Sequence, residues 1–428
     1  MNITKSLTRL GNSIGHEPYF GFVKGHDHLS NIQINEIENL VGKNVQEINE
    51  KFEIAFASKI GEGKAISFAA GRMGFFSLMQ SLNIGQGDEV IIQGHTCSVM
   101  PNAVLRIGAK PVFADIEVDT FGSCAEKIEK VITNKTKMIV AQHSFGIPCN
   151  IEPIVELSKE KGIFLLEDCA LTLGSKIKGV QVGNFGDAAL FSIDHSKPIN
   201  ACLGGLIYTK NKDHYRKLKK IQLYAKDLSL IRQNAIWNKF LFERLNYNPK
   251  RYRKSYLIDL IKKFTNSSSN ATLGNDYGKH PSTRYPYPAK LPSFLAKIGL
   301  FELTRWNSIK KKRQSLLAKF IEYSNNLGIS DFIPSSYFDN KRTIVPLRFV
   351  YTYPKAPLIK KNISKYIDTN WFWFQKPIIV CKDPMDFGYV YNSCPVSERV
   401  GREIINWPCV FTDQNNLKLL NYFEKVHA

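Results

Sequence analysis

Four features of the sequence bring together residue types that do chemistry, and each lies at the end of an apolar run. The stretch FSIDHSKPINACLGG, Phe191 to Gly205, carries Ser192 and Lys197 between the run AALFSI and a Gly-Gly pair. A sheltered lysine amine attacks carbonyl carbon and forms a Schiff base, whereas a solvated one is a loop cation. Glu167-Asp168 closes the run IFLL. Carboxylates ending a buried strand are costly without partners, so Asp168 reads either as a cap on the next helix or as the partner of a cationic ring nitrogen. Ser192 reads as a turn hydroxyl or as a phosphate ligand. AAGRMGFF is a glycine turn opening a helix, whose N–H groups near Gly71, Arg72 and Met73 suit an anion, with Arg72 adding charge.

Taken singly, each feature has its ordinary reading. Together they match one cofactor. Pyridoxal 5'-phosphate needs a lysine for its aldehyde, a carboxylate for its pyridinium nitrogen, and hydroxyls with backbone N–H groups for its phosphate.

These residues need a frame that gathers strand ends. From about Val45 short apolar strands alternate with helical stretches: KAISF, DEVIIQ, AKPVFADI, KMIVAQHS, IFLLEDCA, GDAALFSI and LIYT are strands, and IEPIVELSKEKG is a helix between two of them. That alternation predicts an α/β fold with a large, doubly wound, mostly parallel sheet, in which ligands bind beyond the carboxyl ends of the strands. PSFLAKIGLFELTRWNSIKKKRQSLLAKFIEYSNNLG predicts a further helix. The last hundred residues mix strands and helices and predict a smaller C-terminal α+β domain. The expected division is an N-terminal segment over 1–44, polar and irregular, a large domain over 45–300 with a basic insertion at about 214–275, and a small domain over 301–428.

A chain of 428 residues with 43% hydrophobic residues is long enough for two or three domains. No apolar signal segment or membrane-spanning run is evident. The eight cysteines show no paired or zinc-type spacing, which predicts reduced thiols, no metal site and a cytoplasmic setting. The net charge of +20 favours anionic partners.

The ordered series NIGQGDEVIIQGHTCSVMPNAVLRIGAKPVFADIEVDT, VAQHSFGIP, LLEDCALTLGS, VGNFGDAALFSIDHSK and CLGGLIYT, with CPVSERVGREIINWPCVFTDQNNLKLLNYFEKV near the end, resembles the DegT/DnrJ/EryC1/StrS family of sugar aminotransferases. The resemblance implies the fold-type-I pyridoxal-phosphate transferase architecture. It implies that Lys197 holds the cofactor, that Asp168 pairs with the pyridine nitrogen and that Ser192 binds phosphate. Arg72 and Met73 fall where the family usually has Thr or Ser. Leu171 replaces a Gln or His near the phenolic oxygen, Cys97 replaces a ring-stacking aromatic, Pro288 replaces an Asn that reaches the partner subunit's cofactor, and Lys290 replaces an Arg. His143 and His195 remain as candidates for the site wall or its surroundings. The implied activity is amination of a nucleotide-linked keto-sugar by an amino-acid donor, glutamate, in a homodimer, for a surface polysaccharide or secondary metabolite. Two alternatives stay open. One is a deoxysugar dehydratase, although such relatives replace the lysine with histidine. The other is a non-catalytic, membrane-docked regulatory protein, motivated by Leu171 and Pro288.

Residues 214–264 hold 14 Lys or Arg against 3 Asp or Glu, with Trp237, Phe240, Leu241, Phe242, Leu245, Tyr252 and Phe264 among them. This stretch reads as a solvated helical face, as a dimer surface, or as a surface lying on the inner face of an anionic membrane with its aromatics inserted. No nucleic-acid motif is present.

Overall fold

A computed structural model describes residues 18–255, 258, 273, 284–411 and 413–427. Seven strands form one sheet: β1 (Lys64–Phe68), β2 (Glu89–Gln93), β3 (Lys110–Ala114), β4 (Thr136–Gln142), β5 (Phe164–Asp168), β6 (Ala188–Ser192) and β7 (Gly205–Thr209). Their spatial order is β1-β7-β6-β5-β4-β2-β3. β7 pairs antiparallel with both neighbours and all other pairings are parallel. Parallel strands need crossovers, and helices on both faces bury them.

Side-chain alternation decides what each strand offers. In β5, Leu166 joins the large core shared with the helices over one face, whereas Leu165 joins a smaller core on the other. β4 divides likewise, with Met138 and Val140 on the first side and Ile139 and Ala141 on the second. Asp168 and Gln142 therefore leave their strands on the first side, and Glu167 on the second.

The helices used below are α1 (Gln46–Ala57), α2 (Gly71–Ser81), α3 (Lys212–Tyr224), α4 (Leu230–Asn246) and α5 (Ser293–Asn326). The first half of α5 packs Phe294, Leu295, Ile298 and Leu303 on the large core. Its second half packs Leu316, Leu317 and Phe320 into a separate C-terminal core. The expected boundary at 300/301 thus falls inside one continuous helix of 34 residues. The C-terminal core surrounds an antiparallel pair, Arg348–Thr352 with Ile404–Pro408, where Phe320 and Phe349 stack with centroids 4.8 Å apart.

Two stretches differ from expectation. Residues 18–30 are not a loose polar lead: Tyr19, Phe20, Phe22, Val23 and Leu29 are buried. They form a strap in which Tyr19 N donates to Pro249 O, Phe20 N to Tyr366 O and Gly25 N to Tyr247 O, each at 2.9 Å. Gly25 is required by packing, since a β-carbon there would lie 2.1 Å from the carbonyl oxygen of Glu243.

The basic insertion is the second. Its helix α4 turns its aromatics inward: Trp237 and Phe240 are buried and stack with centroids 5.0 Å apart, against Phe294 and His26. Tyr252 is buried too, and its hydroxyl donates to Asp368 at 3.1 Å. These three rings pack inside the protein and are not offered to a membrane, whereas Leu245 of α4 is exposed. Most of 256–283, including Phe264, lies outside the described residues. Among the described residues no helix is long and apolar enough to cross a membrane.

Candidate active site

The carboxyl ends of β4, β5 and β6, the start of α2 and the loop after β6 form the floor of a cavity of about 730 Å³. Gly71, Arg72, Cys97, Asp168, Leu171, Ser192, His195 and Lys197 all line it. The close seating of α2 on the sheet depends on glycine. A β-carbon at position 205 would lie 2.4 Å from both N and Cα of Gly71. No side chain caps α2, whose preceding residue Ala70 is extended. Its first turn therefore presents backbone N–H groups and the positive end of the helix dipole at the cavity.

Asp168 is 4% exposed, and its Oδ1 accepts a hydrogen bond from Ala170 N at 2.9 Å. Among the described residues no cation pairs with it. Burial raises its pKa, against the pull of the Ala170 N–H, Lys197 and His143. Lys197 Nζ lies 4.6 Å from the centre of the Trp373 ring. Enclosure by protein lowers its pKa, opposed by Asp194, Cys97 and Asp168 and assisted by the like charge of Arg348. Burial also raises the Cys97 thiol, which stays protonated. Leu171, 5% exposed, offers the cavity carbon only.

Glu167, next to Asp168 on the opposite face, serves the fold. Oε1 accepts from the backbone N–H of Phe185 (2.7 Å) and Gly186 (2.8 Å). Oε2 accepts from Gly183 N (2.7 Å) and His143 Nε2 (3.1 Å). His143 Nδ1 accepts from Cys149 N, so the ring carries its proton on Nε2. His143, Glu167 and Cys169 lie close enough to resemble a metal cluster, but those four donors occupy the Glu167 carboxylate.

Three expected site residues lie elsewhere. His143 is fully buried on the Glu167 side and does not line the cavity. Met73 faces the core, where its Sδ accepts from Ala289 N at 3.4 Å. The third residue of α2 points back onto the sheet while the first two face the cavity. Lys290 bonds through its backbone to Lys226 O and is not around its own chain's cavity. The Tyr287-Pro288 bond just before it is cis. The Arg72 guanidinium turns to Leu273 O at 2.8 Å.

The roof was not foreseen. It comprises Trp371, Trp373 and Phe374 from the C-terminal domain and Asn238, Lys239 and Glu243 from α4. His195 connects floor and roof: its Nδ1 is 2.9 Å from Asp194 Oδ1 and 3.3 Å from Lys239 Nζ, and its ring meets Trp371 edge-on. Burial opposes ionisation of Asp194, yet His195, Lys239 and Lys197 together hold its pKa well below the usual range. Lys239 also reaches the buried Glu243 at 3.6 Å.

The residues present fit pyridoxal phosphate. A buried carboxylate without a cation, an amine on the cavity wall, and an uncapped helix start seated by a glycine–glycine contact are the three donors and acceptors its ring, aldehyde and phosphate require.

A model of the DegT/DnrJ/EryC1/StrS aminotransferase family matches residues 33–248. The chain is 40% identical over 166 residues to a GDP-perosamine synthase of Escherichia coli O157:H7, covering 39% of this chain and 46% of that protein. It is 33% identical over 199 residues to a UDP-N-acetyl-3-dehydro-alpha-D-glucosamine 3-aminotransferase of Acidithiobacillus ferrooxidans, covering 46% and 51%. The chain thus spans about half the length of these curated relatives. Among solved structures, DesV of S. venezuelae superposes with a TM-score of 0.72 at 18% identity, over 97% of this chain and 99% of that one. DesI, solved in the presence of its TDP-sugar product, gives 0.70 at 17% identity, over 98% and 96%. At these identities the structural matches speak for the fold-type-I architecture.

Proposed function

The chain belongs to the DegT/DnrJ/EryC1/StrS aminotransferase family, and we propose that it is a pyridoxal-phosphate aminotransferase that turns a nucleotide-linked keto-sugar into an amino sugar. The observation that carries this reading is Lys197 and Asp168 on one cavity floor beside the uncapped start of α2.

Lys197 Nζ would hold the cofactor's aldehyde carbon, and Asp168 would keep the ring nitrogen protonated. The N–H groups opening α2 and the Ser192 hydroxyl would take the phosphate. When bound, the cofactor supplies an electron-withdrawing ring that accepts the electron pair left by a departing proton. Once the donor's amine has displaced it, the freed Lys197 amine, its pKa lowered by burial, would be the base that takes the proton from the donor's α-carbon. Trp373 of the roof lies over that amine. Amino donor, for which we propose glutamate, and keto-sugar occupy the same cavity in turn.

The UDP- and GDP-sugar names of the two curated relatives support a nucleotide-linked substrate for this chain. We also propose a homodimer. A cytoplasmic setting is supported by eight unpaired cysteines, five of them buried.

The test is the absorbance of the protein with pyridoxal phosphate, before and after borohydride, beside Lys197→Ala. The expected result is a cofactor band fixed by reduction to the peptide carrying Lys197, absent from the variant, with glutamate-dependent turnover reduced about 10²–10⁴-fold or more. The same band in both proteins overturns the assignment.

A further inference from the structure

A second cavity, of about 360 Å³, borders the first, the two sharing His195, Ser196 and Lys197 in their walls. It is closed by the strap, the Lys197 loop, α5 and residues 409–411. Its lining is strongly cationic. Lys24, Arg305, Lys312 and Arg313 join Lys197, with His26, His28 and His195, against the single carboxylate of Glu302.

That carboxylate is already engaged, with His28 Nε2 at 2.9 Å, His26 Nε2 at 3.8 Å and Arg305 Nη1 at 3.8 Å. Lys24 pairs with Asp27 at 3.5 Å. Arg313 is different. It is 6% exposed, its Nη1 donates to the carbonyls of Pro346 (3.0 Å) and Leu347 (3.3 Å), and its Nε has no hydrogen-bond partner. Carbonyls orient a guanidinium but do not neutralise it, and among the described residues no carboxylate pairs with it. Arg348 nearby is held differently: it is 2% exposed, sits between the rings of Phe22 (4.2 Å) and Trp373 (3.6 Å), and its Nη1 donates to Trp371 O and Asn406 Oδ1. A guanidinium keeps its proton in a protein, so it cannot escape burial by becoming neutral, and an uncompensated buried charge is strongly destabilising. The charge of Arg313, on the wall of a cation-lined cavity, calls for an anion that the chain itself does not supply.

We infer that this cavity is a binding site for a small dianion, a phosphate or a short dicarboxylate, anchored on Arg313 and lying against the loop that carries Lys197. A volume of about 360 Å³ has room for such an ion with a few waters, and the charged fork of Arg313 suits either oxyanion.

The test uses the full chain preloaded with saturating pyridoxal phosphate, so that the cofactor's own phosphate site is occupied, and only binding lost in Arg313→Met is assigned to the smaller cavity. Inorganic phosphate and glutarate are each titrated by calorimetry. One of them is expected to bind saturably at one per chain, which also tells the two sources apart. Arg313→Met is expected to weaken that binding by about tenfold or more, the loss of one charge-assisted pair, and Arg305→Ala by a smaller factor. Thermal melting gives a readout that folding defects do not imitate. Without either anion, Arg313→Met melts at or above the wild type, because an unpaired buried cation is gone. With the anion, only the wild type gains. If Arg313→Met does not fold, Arg305→Ala decides. No saturable heat from either anion, equal affinity in wild type and variants, or an anion-induced rise shared by Arg313→Met overturns the inference.

Discussion

The floor and the roof of the main cavity are built on different plans. The floor is the ends of sheet strands, held by backbone ladders and by Glu167, which gathers three backbone N–H groups and one imidazole. The roof is side chains borrowed from distant parts of the chain: Lys239 from α4 and Trp371 and Trp373 from the C-terminal domain. The floor fixes where Lys197 and Asp168 stand. The roof sets what surrounds them, through a few ring contacts and the Asp194–His195–Lys239 chain. Chemistry common to a fold is carried by the rigid part, and selectivity by the part that side chains assemble.

Glu167→Ala is the severest break of the floor. It strands the buried Gly183 N–H, the half-buried N–H groups of Phe185 and Gly186 and an imidazole N–H, and urea denaturation should show a loss of about 4 kcal/mol. Asp168→Asn sharpens the contrast one residue away. Turnover should fall by about 10²–10⁴-fold, while the cofactor-free fold becomes more stable. The sign follows from Asp168 having a folded pKa raised by burial: the native state favours the protonated carboxyl, so stability falls as pH rises from the ordinary aspartate range through the folded value. The stability gained by Asp168→Asn should therefore be present at pH 7 and vanish below about pH 3.9, as melting across pH would reveal. Equal melting of the two proteins at pH 7 would refute it.

Breaks in the strap and in the packing behind the roof should be milder. Gly25→Ala drives a β-carbon into the Glu243 carbonyl and should cost about 1–3 kcal/mol, with faster proteolysis near the strap as the measurement. Tyr252→Phe removes only the hydrogen bond to Asp368 and should cost about 1 kcal/mol, read from a urea midpoint. A roof variant that abolished cofactor binding while leaving the fold intact would collapse the distinction between the two regions.

The legibility of the sequence follows the same divide. Strand order along the chain, the acid ending β5 and the lysine after β6 are local patterns, and the structure places them together as the strand-end rule requires. Two misplacements were also local, and counting side chains would have caught them. Gln142 shares the cavity side with Asp168, so His143, one residue later, turns to the Glu167 side. Met73 is the third residue of a helix whose first two face the cavity. The roof had no such signal. Trp237 and Phe240 beside lysines look like an interfacial face until α4 is seen against Phe294 and His26. Trp371 and Trp373 lie about 175 residues from the loop they cover, and no periodicity links the two.

The strap also sets the order in which the molecule can be completed. Residues 18–28 leave the ribosome before any of the partners that hold them, since Tyr247, Pro249 and Tyr366 follow by more than two hundred positions. The seven-stranded sheet can form while the strap still waits, but closure of the smaller cavity must await the end of synthesis. A nascent chain paused after β7 would present a finished floor with both cavities open to water, so the chain builds its reactive lysine first and shelters it last.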